Sequence, residues 1–382
     1  MQKDLTDFLA ERGIDGLLLA GNTLCDSDMY YLSGFLAGDR FVVLASDKVS
    51  ILVSGMEKGR AFVESKADEV VSTSDYGIMD RFKALGKIDE AYSSVLIDFL
   101  HDRGMRRRIG VPKSFPSGLY SMLENDLQVS IVDSPVSRIR AVKSPEEIEN
   151  IKAVQRSCEA AMSAAIGLIK RSKPEGDLLY LDDAPLTSEQ VRTEIEISLL
   201  KDGCEAYDTI VSGGKDSANP HARGSGPLPA NAPIVLDIFP RSKLTRYFAD
   251  MTRTVVRGEA ETEISDLYEA VLYAQEEGLK AVSAGVTGSA VHSVVCKAFE
   301  ECGYPDRDDK GFIHSTGHGV GLDVHELPSL SETGEQLHAG NVVTVEPGLY
   351  YPDLGGVRLE DLVVVREIGC DNLTYFEKRL VV

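Results

Sequence analysis

The sequence has little positive charge: 40 lysines and arginines stand against 61 aspartates and glutamates, giving a formal net charge of -21 at pH 7. Binding to nucleic acid or to an anionic membrane needs clustered cationic side chains. The composition therefore argues against both partners. The sequence also lacks an apolar run of roughly 20 residues, the length that spans a bilayer. With 382 residues, 43% of them hydrophobic, the chain is long enough for two domains with separate cores.

Cysteine is scarce, and none of the six cysteines belongs to a CxxC motif. We therefore predict six reduced thiols that fill space, instead of disulfides or zinc ligands. The chain also lacks a convincing GxSxG or catalytic cysteine motif, which argues against a covalent intermediate. Its first residues, MQKD, lack the basic-then-apolar order of a secretory signal, so we expect a cytoplasmic protein.

Hydrophobic periodicity predicts two domains, over residues 1–138 and 139–382. The first part has a helical pattern at 5–12 and strand patterns at 16–20, 41–45, 49–53, 108–111 and 129–132, a layout typical of an α/β domain. The second domain opens on a capping box, because Ser144 can cap a helix, Pro145 suits its first turn and Glu147 completes the box. Further helices are predicted from Thr187 onward, at 264–282 and at 290–301, and strands at 234–239, 248–256, 342–345 and 357–365.

Four carboxylates interrupt the apolar strands of the second domain, where an unpaired charge is costly to bury. They are Asp237, Asp250, Glu346 and Glu360. One such acid alone is better explained by an ion pair, for instance with Arg253 or Arg358. Side chains alternate along a strand, so Asp250 shares a face with Thr252, and Glu360 with Arg358. Four acids on one sheet predict two divalent cations, which favour oxygen ligands.

Three of the seven histidines fall within twelve positions, in the glycine-rich segment HSTGHGVGLDVH at 314–325. Histidine is both a metal ligand and a proton shuttle near neutral pH. One imidazole added to several carboxylates favours manganese, cobalt, iron or zinc over calcium. We expect His314 to be a structural hydrogen-bond partner within this turn instead of a ligand.

Segments 234–254, 314–326, 342–350 and 355–365 resemble, in order and spacing, the metallopeptidases of the pita-bread fold. That family includes methionine aminopeptidase, aminopeptidase P and prolidase, with creatinase as a relative that has lost its metals. The first domain more weakly resembles the creatinase-type N-terminal domain through YYLSGF at 30–35. The resemblance implies an α/β N-terminal domain, an α+β pita-bread catalytic domain and a homodimer.

The same resemblance implies a role for each site residue. Asp237 would bind one metal ion, Asp250 and Glu360 would bridge two, and His318 and Glu346 would complete the set. The cofactors would be two divalent ions, manganese first, with cobalt, zinc or iron as alternatives. They would activate a water molecule whose proton Glu346 takes and returns.

Four further residues match substrate-side positions of the family. His221 and His325 would lie beside the substrate, although His221 could also be a loop histidine without a role. Arg358 would stand next to the last ligand. Tyr350 would either contact the site or be a packed aromatic residue whose hydroxyl has a partner.

The sequence departs from the family between Asp237 and Asp250, which lie thirteen positions apart, two more than usual. The segment FPRSK at 239–243 replaces the expected glycine-rich turn. An even-numbered insertion in a hairpin preserves the face of each residue, so both aspartates are expected to point inward. The rim of the pocket is expected to differ.

The function implied is hydrolysis of the peptide bond that precedes proline, by an Xaa-Pro aminopeptidase or an Xaa-Pro dipeptidase acting on proline-containing peptides. Two alternatives stay open: a small-amide or amidino hydrolase similar to creatinase or ectoine hydrolase, and a non-catalytic peptide-binding module. Both a creatinase and a binding module would be expected to lose metal ligands, whereas all five are present. Methionine aminopeptidase is disfavoured by the N-terminal domain and by His221.

Overall fold

The computed structural model describes residues 2–305 and 310–382. The chain divides into two compact units, Met1–Arg140 and Ala141–Val382. Within the described residues, no helix combines the length and the apolar character that a bilayer crossing requires.

The first unit is built on a six-stranded mixed sheet. In spatial order its strands are Glu69–Ser72, Val49–Val53, Phe41–Ala45, Gly16–Gly21, Arg108–Pro112 and Gln128–Val132. Val49–Val53, Phe41–Ala45 and Gly16–Gly21 pair antiparallel with one another. The other three pairings in the sheet are parallel. Its helices are Gln2–Arg12, Ser27–Ser33, Lys58–Glu64, Ile78–Leu85, Ile88–Asp102, Ser117–Leu123 and Val136–Ala141.

Both faces of the central strands are buried, which explains why Gly16–Gly21 and Phe41–Ala45 are continuous apolar runs. Leu17 and Leu19 belong to one core cluster, whereas Leu18 and Leu44 belong to the other, as alternation along a strand requires. The prediction of an α/β domain is confirmed. The edge strand Glu69–Ser72 was not predicted, because four residues beginning with a charge carry too little pattern.

Four long helices frame the second unit: Pro145–Arg171, Ser188–Lys201, Thr262–Ala281 and Gly288–Glu301. The first packs on the second and the third on the fourth. Both predicted capping boxes are present. Ser144 Oγ accepts from the Glu147 amide, and Thr187 Oγ1 accepts from the Gln190 amide. In turn, the side chains of Glu147 and Gln190 accept from the backbone amides of Ser144 and Thr187.

The strands of the second unit form several small antiparallel sheets. One contains Ile210–Gly213, Pro233–Ile238 and Met251–Val256, and another contains Glu326–Leu330, Gly317–Gly319, Val342–Val345, Asp361–Val365 and Cys370–Asn372. Shorter ladders join Gly348–Tyr351 to Gly355–Arg358, Cys204–Glu205 to Arg241–Ser242, and Lys173–Glu175, Leu178–Leu181 and Ala184–Pro185 to one another. A 3₁₀ turn covers Gly214–Ala218. The second unit is therefore an α+β domain, as predicted.

The single strand predicted at 357–365 is wrong. Arg358 pairs with Gly348, whereas Asp361 pairs with Val345, so the chain changes partner strands between them. The Glu360 amide instead donates to the Thr252 carbonyl at 3.1 Å. Alternation across this break therefore does not explain why Arg358 and Glu360 face the same cavity. The strand predicted at 248–256 also starts later, at Met251, which leaves Asp250 just before it.

The six cysteines all lie in the described parts of the chain and are free thiols, as predicted. Cys158 and Cys204 are buried and fill space. That interpretation is wrong for Cys25 and Cys302, which are exposed.

Candidate metal centre

A cavity of about 250 Å³ collects eight of the nine predicted site residues on its wall. They are His221, Asp237, Asp250, His318, His325, Glu346, Arg358 and Glu360. Tyr350 is not on the wall and lies behind it, almost fully buried. Sequence reasoning missed the remaining lining residues except His314, which it noted as structural: they are Pro220, Phe239, Ser315 and Val324.

The acidic residues reach the cavity from points near strand ends. Asp237 is the penultimate residue of Pro233–Ile238 and pairs with Thr252, Asp250 precedes Met251–Val256, and Glu346 follows Val342–Val345. Glu360 lies in the break between Gly355–Arg358 and Asp361–Val365. The chain thus delivers four carboxylates to one place from two stretches, 237–250 and 346–360, which are 96 positions apart (346 minus 250).

His318 enters from the short strand Gly317–Gly319. A Cβ atom on Gly317 would lie 2.0 Å from the Thr344 carbonyl oxygen, and one on Gly319 would lie 2.2 Å from that of Leu327. Only glycine permits this close approach of neighbouring backbones. The glycines therefore let the strand of His318 lie close to both neighbouring strands, Val342–Val345, which Glu346 follows, and Glu326–Leu330, which His325 precedes.

Three residues are close enough to share a metal ion. Asp250, His318 and Glu360 each offer a ligand atom, and these atoms lie within 4.8 Å of one another. Asp250 Oδ1 and Glu360 Oε1 are buried without a hydrogen-bond partner in the described structure. Two unpartnered anionic oxygens beside an imidazole suit a divalent cation, which would offset the cost of burying them. The residues present therefore fit a metal.

Burial and mutual repulsion both disfavour the ionised form of three carboxyls in the cavity. Burial, and then the charges of neighbouring carboxylates, raise the pKa of Asp250 and of Glu360 well above the usual range. Burial also raises the pKa of Asp237, although the nearby Arg358 opposes it. A bound cation would favour the ionised form of each group.

The pKa values of Glu346 and His318 shift toward the charged form of each group, because the two side chains pair with each other. Glu346 Oε1 lies 3.1 Å from His318 Nε2. Burial opposes ionisation of Glu346, but the hydrogen bond and charge of His318 lower its pKa to about 2. Burial likewise disfavours charged His318, yet its bond to Glu346 leaves the His318 pKa raised. A metal ion at Nε2 would take the place of that proton.

Arg358 holds one acid through a bonded cluster. Its Nη2 donates to Asp237 Oδ2 at 2.6 Å, its Nε to Thr252 Oγ1 at 3.1 Å, and its Nη1 to the Tyr350 hydroxyl at 2.9 Å. Thr252 Oγ1 also lies 3.0 Å from Asp237 Oδ1 and 2.7 Å from Glu360 Oε2. Arg253 pairs instead with Asp361 at 2.9 Å. Among the described residues, neither arginine forms an ion pair with Asp250, Glu346 or Glu360, so that alternative is wrong; Glu346 and Asp250 instead lie 3.1 and 3.8 Å from His318 Nε2.

The histidines around the cavity have distinct partners. His314 is a structural hydrogen-bond partner, as predicted, because its Nδ1 lies 2.7 Å from the Ser315 carbonyl oxygen and its Nε2 3.0 Å from the Tyr350 hydroxyl. Burial lowers its pKa to about 4. The rings of His318 and His325 meet edge to face at 4.3 Å, and burial lowers the pKa of His325. His221 lies on the cavity wall, and its backbone amide is 3.2 Å from Asn219 Oδ1.

The longer hairpin leaves both aspartates on the cavity wall, as an even-numbered insertion predicts. Its first residue, Phe239, lines the cavity. Arg241 then packs over the Tyr207 ring at 4.8 Å and forms an ion pair with Glu205 at 2.6 Å. Side-chain contacts therefore hold this hairpin in place, and Phe239 brings it to the cavity wall.

Comparison with known proteins identifies the class to which this fold and site belong. Residues 149–367 match the model of metallopeptidase family M24, and residues 2–142 match the creatinase/prolidase N-terminal domain. The chain belongs to metallopeptidase family M24, which confirms the predicted family and its enzymatic class.

Individual relatives match over nearly the whole chain. An Xaa-Pro dipeptidase of Pyrococcus furiosus is 32% identical, over 98% of this chain and 98% of that protein. The solved prolidase of Pyrococcus horikoshii has a TM-score of 0.81 at 28% identity and covers 99% of each chain. An X-Pro aminopeptidase of Thermotoga maritima has a TM-score of 0.80, also at 28% identity, with 100% and 99% coverage.

Proposed function

We propose that this protein hydrolyses the peptide bond that precedes proline, through a water molecule activated at two divalent metal ions. The observation that carries the proposal is a pair of buried oxygens, on Asp250 and Glu360 beside His318, for which residues 2–305 and 310–382 supply no hydrogen-bond partner. Membership of family M24 and the names of the relatives support the same reaction. We assign catalysis to residues 139–382 and the N-terminal domain to residues 1–138.

The ligands in this proposal are Asp237, Asp250, His318, Glu346 and Glu360. Manganese is our first expectation for the metal, with cobalt, zinc or iron as alternatives, because the set combines four carboxylates with one imidazole. When bound, the two ions supply a water of lowered pKa and polarise the scissile carbonyl.

Proton transfer in this proposal belongs to Glu346. It lies on the cavity wall, and its Oε1 accepts from Thr344 Oγ1 at 3.2 Å. In this proposal that hydrogen bond orients the carboxylate, which would act as the general base that takes a proton from the attacking water. The proton would then be returned to the leaving proline nitrogen.

Substrate orientation belongs to the two histidines of the wall. The lowered pKa of His325 keeps its imidazole neutral near pH 7, and a neutral ring can still donate one N–H hydrogen bond. We propose that His325 and His221 donate to the scissile carbonyl or to the oxyanion that forms from it. Pro220, Phe239 and Val324 give the cavity an apolar wall suited to a proline ring.

In this account Arg358, on the cavity wall, and Tyr350, behind it, act together on Asp237. Arg358 holds Asp237 from one side, and the Tyr350 hydroxyl fixes the guanidinium from the other. Their role is to keep the Asp237 carboxylate oriented toward the cavity.

The substrate test compares Gly-Pro and Ala-Pro with Ala-Pro-Ala, and uses Ala-Ala-Ala as the peptide without proline. Metal-free protein is assayed before and after addition of manganese, cobalt or zinc, with Asp250→Ala as the control. Hydrolysis of the dipeptides alone indicates a dipeptidase, and preference for the tripeptide indicates an aminopeptidase. If no metal restores cleavage of any proline peptide, the proposal is wrong and small amides become the next substrates.

We further propose a homodimer that works in the cytoplasm. The first unit exposes three large apolar side chains close together in sequence, Met56, Phe62 and Val63, each at least 78% exposed. A patch of this kind suits a subunit contact. Six free thiols suit a reducing compartment. Light scattering of the wild type and of Phe62→Asp measures the oligomeric state, and a monomeric wild type would contradict the dimer.

A further inference from the structure

A buried ion pair lies directly behind one histidine of the cavity. Lys143 Nζ is 2.5 Å from Glu326 Oε1, and the two side chains are only 1% and 3% exposed. Glu326 follows His325 in the chain. A lysine and a glutamate buried so deeply each depend on the other, because loss of one leaves an uncompensated charge.

The carboxylate of Glu326 organises the loop that carries His325. A Cβ atom on Gly321 would lie 2.3 Å from Glu326 Oε1, so this oxygen rests against the bare backbone of the loop. The amide of Asp323 lies 3.5 Å from Glu326 Oε2. The loop from 321 to 325 is therefore folded around the side chain of Glu326, while His325 faces the cavity.

The ammonium group is held from the other side by a separate segment. The Lys143 amide donates to the Gly340 carbonyl at 2.9 Å, and Asn341 Nδ2 donates to the Ala141 carbonyl at 2.8 Å. Lys143 Nζ itself lies 3.3 Å from that same Ala141 oxygen. The backbone on both sides of the ion pair is therefore anchored, and the charge of Lys143 has a fixed position.

We propose that the Lys143–Glu326 pair is a positioning device for His325. Lys143 lies 182 positions before His325 in the sequence (325 minus 143) and is not on the cavity wall. By fixing Glu326 it fixes the orientation in which the neighbouring imidazole meets the substrate. This inference rests on the proposed role of His325 in peptide hydrolysis.

The first test compares Lys143→Met with Lys152→Met, whose lysine forms an exposed pair with Glu149. We expect kcat for an Xaa-Pro peptide to fall about 10- to 100-fold in Lys143→Met, as for other residues that orient groups of a metal site. Lys143→Arg, which keeps the charge, should recover most of the rate. Lys152→Met should match the wild type.

A double variant separates positioning from folding. Lys143→Met combined with Glu326→Leu replaces the ion pair by apolar groups, which often preserves stability. We expect it to regain the thermal midpoint of the wild type but not its kcat. Recovery of both would overturn the proposal, since the pair would then serve the fold alone. This comparison also decides the matter if Lys143→Met alone does not fold.

Two readouts address His325 itself. On a His325→Ala background, Lys143→Met should cause no further loss of kcat, whereas an equal loss on both backgrounds would contradict the proposal. In metal-free protein, the ¹H–¹³C signal of the His325 ring should shift in Lys143→Met and stay unchanged in Lys152→Met. That signal needs no activity, so it tests the positioning even if the wild type cleaves no proline peptide.

Discussion

At the scale of single residues, the four acids of the cavity differ in what their oxygens contact. Both oxygens of Asp237 have partners, Arg358 and Thr252, whereas Asp250 and Glu360 each keep one oxygen without a partner in the described structure. A bound cation would therefore stabilise Asp250 and Glu360 more than Asp237. Since both also have raised pKa values, metal binding must compete with protons.

The first prediction is that metal binding releases protons. A carboxyl whose pKa is raised keeps its proton to higher pH, and a metal ligand must be ionised, so the cation displaces that proton. The number of protons released should fall, and the affinity should rise, as the pH increases. Calorimetric titration of manganese in buffers of different ionisation enthalpy measures both.

The control for proton release is an acid outside the cavity. Glu360→Gln should release fewer protons than the wild type, and Glu367→Gln, at an exposed position, should release the same number. Proton uptake on metal binding would contradict the raised pKa values.

The sequence predicts the four acids because each lies within an apolar run of the sequence or at its end. It does not predict the hydroxyl of Thr252 between Asp237 and Glu360, or the phenyl ring of Phe239 on the wall. These contacts join segments distant in the chain, and local pattern holds no information about them. Arg358 illustrates the limit, because its position beside Glu360 in sequence does not reveal that it bonds to Asp237.

At the scale of secondary structure, local chemistry explains the helix starts. The capping boxes at Ser144 and Thr187 were predicted from four residues each, because a cap depends only on neighbours in sequence. The strand break at 359–360 could not be predicted in this way. The sequence of an apolar run does not reveal whether the run pairs with one neighbouring strand throughout or changes from one neighbour to another.

The second prediction concerns the cap of the helix Pro145–Arg171. Ser144→Ala removes the acceptor for the Glu147 amide and should lower the free energy of unfolding by about 1 kcal/mol. Ser163→Ala, at an exposed position within the same helix, should change it by less than about 0.5 kcal/mol. Urea unfolding measures both, and equal effects would contradict the capping role.

The third prediction concerns the buried guanidinium of Arg253, which ties its strand to the C-terminal segment. It pairs with Asp361 and donates to the carbonyls of Glu360 and Phe376. Arg253→Met leaves Asp361 with less compensation and should cost about 3–5 kcal/mol in urea unfolding. The exposed pair of Lys280 and Glu277 provides the control, and Lys280→Met should cost less than about 1 kcal/mol. A small effect at Arg253 would contradict its role as a tie.

At the scale of the whole molecule, the site exists only because the fold gathers distant segments. Asp237 and Glu360 are 123 positions apart (360 minus 237) yet share the hydroxyl of Thr252. The order of the motifs along the chain was sufficient to predict the family and the two kinds of domain. The residues that line the cavity could be identified only from the structure, because several lie in loops whose paths the motifs do not determine.

The central claim is that the acids of the cavity hold the divalent ions that drive cleavage before proline. The most direct measurement is the initial rate of Ala-Pro-Ala and Ala-Pro hydrolysis by metal-free protein as manganese is added, for the wild type and for Asp250→Asn. The account predicts that the wild-type rate rises from near zero and saturates at about two equivalents, while folded Asp250→Asn stays near the metal-free rate. Full activity without metal, or an equal response of Asp250→Asn, would contradict it.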